Sequence, residues 1–258
     1  MLEYVDVIQN DDWMQQILVC PFCLSKLYKA KHYLRCSICS RKYEIVNGIP
    51  CFEQLPFDKR EYLFEMNRYK NIALKPPETY FGFDDSYPSE RAEILKKYLK
   101  NKNMYLNIGQ GFGQLEQTMP SKAKICLDQC IEFLNYCSKK EIPNTRYVMG
   151  FAEKMPFKSK YFPAVVSDSV FQTLVDQREF LVENARVLKN EGIFLLTITY
   201  KWNYPRKRQS FMANIPELLV HFLKELEINA EYEYLTLPNL DKSSYEKGDI
   251  LIVKGVKQ

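Results

Sequence analysis

Apolar positions along this chain recur at two periods, and the change between them divides it. Over 89–99 the run Ser89-Glu90-Arg91-Ala92-Glu93-Ile94-Leu95-Lys96-Lys97-Tyr98-Leu99 has a Ser cap, early acids, late lysines and apolar residues at helical spacing. Beyond it, short apolar runs alternate with amphipathic stretches. The pattern predicts strands over 104–108, 124–127, 146–149, 164–167 and 193–199, and helices over 114–119, 131–140, 178–188 and 216–226. Two final strands are expected over 231–237 and 250–253. Strands alternating with helices at this spacing predict an α/β fold, a doubly wound, mostly parallel seven-stranded sheet with helices on both faces. In such a sheet a ligand sits beyond the carboxyl ends of the strands, where the strand order reverses.

The N-terminal part follows a different rule. Tyr43-Glu44-Ile45-Val46-Asn47-Gly48-Ile49-Pro50 alternates as a strand does, then meets an Asn-Gly turn and a Pro stop. After it comes a connector rich in aromatics and charge, in which Pro76-Pro77 and Tyr87-Pro88 break any long helix. The expected division is a small module over 1–55, a connector or cap over 56–88, and the α/β domain over 89–258.

Composition leaves this picture intact. Hydrophobic residues at 46% and charged residues at 26% describe an ordinary globular chain, and a net charge of +4 permits an anionic partner without arguing for one. No apolar run approaches the roughly twenty residues that span a bilayer, so no membrane insertion is expected. The start, Met1-Leu2-Glu3-Tyr4-Val5-Asp6, carries acids where a signal peptide needs a basic region and an apolar core. A cytoplasmic location, with reduced thiols, is the expectation.

The first candidate chemistry lies in four cysteines. Cys20-Pro21-Phe22-Cys23 and Cys36-Ser37-Ile38-Cys39 are two Cys-x-x-Cys knuckles separated by twelve residues, enough for a hairpin that returns the second pair onto the first. Cys20, Cys23, Cys36 and Cys39 therefore form a candidate Zn²⁺ site; four protein thiolates leave no open position, so its role would be structural. Two disulfides, or buried thiols at this spacing by accident, are the plainer alternatives. From Cys20 through Tyr43 there is no acid, while Lys26, Lys29, Lys31, Arg35, Arg41 and Lys42 are present. Those cations suit a four-thiolate site of net negative charge; a solvated surface or a nucleic-acid contact would use them equally. Cys51, Cys126, Cys130 and Cys137 lack knuckle spacing and are expected to be small buried hydrophobes.

The second lies after the first strand of the α/β domain, in Asn107-Ile108-Gly109-Gln110-Gly111-Phe112-Gly113. Glycines at alternate positions between a strand and a helix let the backbone approach a ligand closely. Asp128 ends the next strand, close to twenty residues beyond Gly109, where a carboxylate can accept from both hydroxyls of a ribose. Taken alone, Asp128 would read as a cap for the following helix.

Three segments in order carry a family resemblance. They are Asn107 to Gly113, then Phe151-Ala152-Glu153-Lys154-Met155-Pro156-Phe157, then the stretch from Tyr161-Phe162-Pro163-Ala164-Val165-Val166-Ser167 to Ala185-Arg186-Val187-Leu188-Lys189-Asn190-Glu191-Gly192. On these, the chain resembles the class I S-adenosylmethionine-dependent methyltransferases, particularly the subfamily that includes the ubiquinone-biosynthesis enzymes. The N-terminal module is similar to Trm112-like zinc ribbons, known as methyltransferase activators and as fused domains. The resemblance implies a Rossmann-like methyltransferase fold, S-adenosylmethionine as cofactor, and a methyl acceptor, with a protein partner through the ribbon as a further implication. It assigns Asn107, Gly109, Gly111, Gly113, Asp128, Gln129, Phe151, Ala152 and Ser169 to the cofactor.

The chain departs from the family at three places. Asn107 replaces an acid that helps hold the cofactor's amino group, Phe151 replaces an Asp that accepts from adenine, and Phe171-Gln172-Thr173 stands where Leu-Glu-His is frequent. An inactive methyltransferase-fold scaffold is therefore carried as an alternative. No catalytic residue is assigned: Asp168 and Ser169 are candidates near the methyl group, His32 lies in the ribbon, and His221 falls in an apolar helical pattern that suggests packing. Acceptor choice is expected in the connector and in Tyr200-Lys201-Trp202-Asn203-Tyr204-Pro205-Arg206-Lys207-Arg208, whose aromatics and cations suit a small anionic molecule or an RNA base with its phosphates. The modest charge favours the small molecule.

Overall fold

The computed structural model describes residues 4–10, 12–53, 59–75, 89–119, 122–199, 215–235 and 250–258. The α/β domain has a seven-stranded sheet. In chain order it contains α4 (Ser89–Leu99), β5 (Met104–Ile108), α5 (Gln114–Gln117), β6 (Ala123–Asp128), α6 (Ile131–Ser138), β7 (Thr145–Met149) and β8 (Phe162–Asp168). Then come α7 (Gln177–Val187), β9 (Leu188–Thr199), α8 (Pro216–Glu225), β10 (Ile228–Leu235) and β11 (Ile250–Lys257). The strand order is β10-β11-β9-β8-β5-β6-β7, parallel except at β11, which pairs antiparallel with both β9 and β10. The chain runs outward from β5 through β6 to β7, then returns to β8 on the other side. The order thus reverses between β5 and β8, and the carboxyl ends of these strands open a crevice there. Every residue of β5 and β6 is buried, as strands covered on both faces require.

The N-terminal module is a four-stranded antiparallel sheet, β1 (Leu27–Lys29), β2 (Tyr33–Cys36), β3 (Lys42–Val46) and β4 (Ile49–Pro50). The expected Asn-Gly turn joins β3 to β4, with φ of 52° at Asn47 and 78° at Gly48. Two short helices precede it, α1 (Tyr4–Gln9) and α2 (Trp13–Ile17). The module continues the large sheet at its β7 edge. Cys51 bridges Met149 in parallel, Phe52 N donates to Met149 O at 2.8 Å, and Val19 N donates to Pro156 O at 2.9 Å. One apolar cluster runs through both parts, joining Trp13, Ile17, Leu34 and Tyr43 to Leu127, Val148, Met155 and Phe157.

One element was not foreseen and one expectation needs correction. The connector holds a 15-residue helix, α3 (Lys59–Ala73), which ends ahead of Pro76-Pro77. Its residues Tyr62, Met66, Tyr69 and Ile72 fall at helical spacing and pack over the carboxyl end of the sheet, against Phe112, Phe133 and Tyr136 among others. The proline pairs lie outside the described residues. His221 does not pack: its side chain is 69% exposed and faces Glu225 at 3.6 Å. Leu219 and Leu223 form the buried side of α8 instead. Cys51, Cys126, Cys130 and Cys137 are buried as expected.

Candidate functional site

The glycine loop leaves β5 in the left-handed region, with φ of 72°, 54° and 74° at Gly109, Gly111 and Gly113. At Gly109 the requirement is steric as well: a β-carbon there would overlap Val170 Cγ2. At Gly111 a β-carbon would meet nothing within 4 Å, so the backbone borders open space. Asp128 faces this loop. Its Oδ2 accepts from Gly111 N at 3.1 Å and its Oδ1 from Cys130 N at 2.9 Å. Burial pushes the Asp128 pKa up to about 6, while the amides of Cys130, Gly111 and Gln129 pull against it. Gln129 is partly exposed beside it.

Phe151 and Ala152 follow β7, both buried, and the Phe151 ring meets Tyr62 of α3 edge-on at 5.6 Å. Across the crevice, Ser169 has φ of 59°; its N donates to Thr197 Oγ1 at 3.0 Å and its Oγ pairs with Thr199 Oγ1 at 2.7 Å. Asp168 Oδ1 accepts from Thr197 Oγ1. Phe171, Gln172 and Thr173 form a single 3₁₀ turn, with Phe171 in the core. The glycines, Asp128, Ser169, Phe151 and Ala152 thus follow the carboxyl ends of four neighbouring strands. The run 200–208 lies outside the described residues.

Asn107 is held from inside the domain. Its Nδ2 donates to Glu116 Oε1 at 2.7 Å, beneath the loop, while Asn107 Oδ1 and both amide atoms of Gln110 are buried without a hydrogen-bond partner among the described residues. Unpaired buried polar atoms are unusual. Beside an open backbone they suit a ligand with an amino-acid end, so the residues present fit S-adenosylmethionine.

Sequence reasoning missed several contributors. Glu153 is 3% exposed and accepts from the amides of Val175 and Asp176 at 3.3 and 3.5 Å, tying the turn after β7 to the turn after β8. Burial pushes its pKa up to about 7. Glu183 and Arg186 of α7 brace 155–157 in the same way. Glu153 and Arg186 sit inside quoted motifs, but nothing local announces their partners.

In the N-terminal module the four sulfurs of Cys20, Cys23, Cys36 and Cys39 lie within 4.8 Å of one another, and all four cysteines are free of disulfides. Ile38 N and Cys39 N each donate to Cys36 Sγ at 3.4 Å, and Tyr43 Oη lies 3.1 Å from Cys20 Sγ. Burial pushes the Cys20 thiol up to about 12, whereas hydrogen bonds from Ser25 bring Cys23 down to about 6 and those from Arg41 lower Cys39. This donor set is compatible with a zinc ribbon.

Comparison with known proteins agrees with this geometry. Residues 106–196 match the family model described as a methyltransferase domain. An uncharacterised protein of Methanocaldococcus jannaschii is 33% identical over 106 residues, covering 41% of each chain. A malonyl-[acyl-carrier protein] O-methyltransferase of a Marinomonas species is 25% identical over 132 residues, covering 47% of this chain and 49% of that one. The match thus spans less than half the length of either curated relative. Among solved structures, a TehB-like S-adenosylmethionine-dependent methyltransferase of Corynebacterium glutamicum superposes with a TM-score of 0.53 at 15% identity, over 77% of this chain and 98% of that one. Residues 106–196 thus match a methyltransferase domain, and the chain shares the fold of S-adenosylmethionine-dependent methyltransferases of known structure.

Proposed function

We propose that this chain transfers a methyl group from S-adenosylmethionine to a small-molecule acceptor, and that its four N-terminal cysteines bind one structural Zn²⁺. The observation that carries the first part is the pairing of Asp128 with Gly111 at the β5/β8 crevice, beside open space above the loop. Asp128 and Gln129 would hold the ribose, Phe151 and Ala152 the adenine side, and the glycine loop with Asn107 the amino-acid end, leaving Ser169 beside the reacting centre. The sulfonium, when bound, supplies an activated methyl group, so the protein's main task is to place the acceptor in line. The expected division into 1–55, 56–88 and 89–258 goes with this reading, α3 acting as the cap.

Zinc is supported by the convergence of four unbridged sulfurs with N–H donors on Cys36. Among the described residues no helix is long and apolar enough to cross a membrane. A cytoplasmic setting would keep these thiols reduced and available to metal. The ribbon pairs with the chain's own β7 edge through Cys51, so a protein partner on the ribbon would use its other faces.

A second reading, RNA base methylation, is favoured by one observation. The stretch from Cys20 through Tyr43, which has no acid, presents cation–aromatic pairs, with Lys26 over Tyr28 at 5.3 Å and Lys42 over Tyr33 at 5.1 Å. Calorimetry with S-adenosylmethionine, followed by turnover of metabolite and RNA pools with a labelled methyl donor, separates the readings. Label in small molecules supports the first, and label in RNA the second. No cofactor binding at high micromolar concentration would leave an inactive scaffold.

A further inference from the structure

A polar cluster lies behind the glycine loop. Asn107, the penultimate residue of β5, is 3% exposed, and its Nδ2 is held by Glu116 Oε1 at 2.7 Å. Glu116 is fully buried in α5, the helix that the loop opens. Burial pushes its pKa up, while the Asn107 amide and the buried Lys124 ammonium pull it back. Glu116 Oε1 accepts from Nδ2, as an ionised carboxylate must. The orientation of the Asn107 amide is thereby set, and Oδ1 is left buried with no partner among the described residues. Gln110, next to Gly109, carries two further buried amide atoms in the same condition. With Glu116 Oε2 these make four unpaired buried polar atoms in one cluster, and those of Asn107 and Gln110 at the loop call for a ligand bearing both a donor and an acceptor.

We propose that Glu116 is a positioning residue for the amino-acid end of the cofactor. By holding Asn107 Nδ2 it presents Oδ1 to the α-ammonium, and in its ionised form it would add from behind a negative charge that Asn107 lacks. Gln110 offers the matching donor to the α-carboxylate. The assignment rests on the cofactor reading above. It explains how an amide can serve at a place where an acid is usual: the charge has moved one layer back, from the strand to the helix.

The test is Glu116→Gln, nearly the same size. Glutamine offers Asn107 both a donor and an acceptor, so amide orientation and charge are lost together. Calorimetry is run with S-adenosylmethionine, S-adenosylhomocysteine and 5′-methylthioadenosine; the last two differ in the amino-acid end. The variant is expected to bind the first two roughly tenfold or more weakly, with methylthioadenosine essentially unchanged. The paired exchange Asn107→Asp with Glu116→Gln returns a carboxylate to the site and is expected to bind S-adenosylhomocysteine as the native protein does. It serves as the deciding measurement if Glu116→Gln fails to fold, and a tenfold deficit in it would count against the proposal. Equal weakening of all three ligands in Glu116→Gln, or unchanged S-adenosylhomocysteine binding, overturns the assignment alone. A native protein that binds none of the three overturns the cofactor reading and this assignment with it.

Discussion

Val170 stands over Gly109, so that a β-carbon on the glycine would overlap Val170 Cγ2 and lie 3.0 Å from Cγ1. The two residues follow β5 and β8, the strands between which the order reverses, and their contact closes the floor of the crevice. Gly111, two residues on, has a positive φ of 54° and empty space beside it. Gly109→Ala should therefore cost roughly 2–4 kcal/mol of stability, from overlap added to left-handed strain. Gly111→Ala should cost about 1 kcal/mol from the backbone alone, yet weaken S-adenosylmethionine more than its stability loss explains. Chemical denaturation of both variants, beside cofactor titration, checks the contrast. Equal stability losses would mean that Val170 yields freely.

The glycines were legible in the sequence because a strand-to-helix turn is a local event, and so were the knuckles and the Asn47-Gly48 hairpin. Helix α3 was not. Its apolar and aromatic residues make no clean stripe, since Leu63 and Phe64 are exposed beside the buried Tyr62, and the proline pair downstream drew the reading toward a break. His221 was misjudged because an apolar pattern does not say which side of a helix is covered. Asn107 read as a weakened cofactor contact, since its partner Glu116 is nine residues away across a turn. Contacts made only by folding, such as Cys51 with Met149, leave no mark in either segment alone.

Asp128 makes the site sensitive to acid. Its carboxyl titrates at about 6 in the fold, above the ordinary 3.8, because burial disfavours the charge. In the proposed ribose contact the ionised form is the stronger acceptor. Cofactor affinity should rise roughly tenfold between about pH 5 and about pH 7, and Asp128→Asn should flatten that profile at weaker binding. Stability of the cofactor-free protein should move oppositely. With the folded pKa above the unfolded one, this group's contribution is full below about pH 4 and lost by about pH 6. Calorimetric titration across that range, native beside variant, measures both trends. A flat native profile would remove Asp128 from the site.

Metal removal should be felt at a distance. The ribbon leads from Cys20 back to Val19, whose amide bonds Pro156 O, and Leu18 pairs with Phe157 in the segment that begins with Phe151 and Ala152. Native protein should carry one Zn²⁺ per chain by elemental analysis, and Cys36→Ser should not. Chelation should speed amide exchange at Val19 and Lys158, whose bonds join the two parts, and weaken the cofactor several-fold. Exchange confined to the ribbon would show that the two parts are uncoupled.

Arg186 offers the sharpest separation of bracing from binding. Its guanidinium pairs with both oxygens of Glu183 and donates to Phe157 O at 2.6 Å and Met155 O at 2.9 Å, while Glu183 Oε2 also accepts from Met155 N at 2.6 Å. The planar fork satisfies two carbonyls and a carboxylate at once, which a lysine ammonium on a single stem cannot do. Arg186→Lys should therefore destabilise the protein by roughly 2 kcal/mol through unpaired carbonyls. Arg186→Met should cost roughly 3–5 kcal/mol, because Glu183 would keep its charge without its cation. Both should weaken adenosine as well as S-adenosylmethionine, since the braced segment carries Phe151 and Ala152 rather than the groups that meet the amino-acid end. Denaturation with parallel titration of the two ligands checks this. A loss restricted to S-adenosylmethionine would place the effect of Arg186 on the wrong side of the crevice for a brace of the adenine turn.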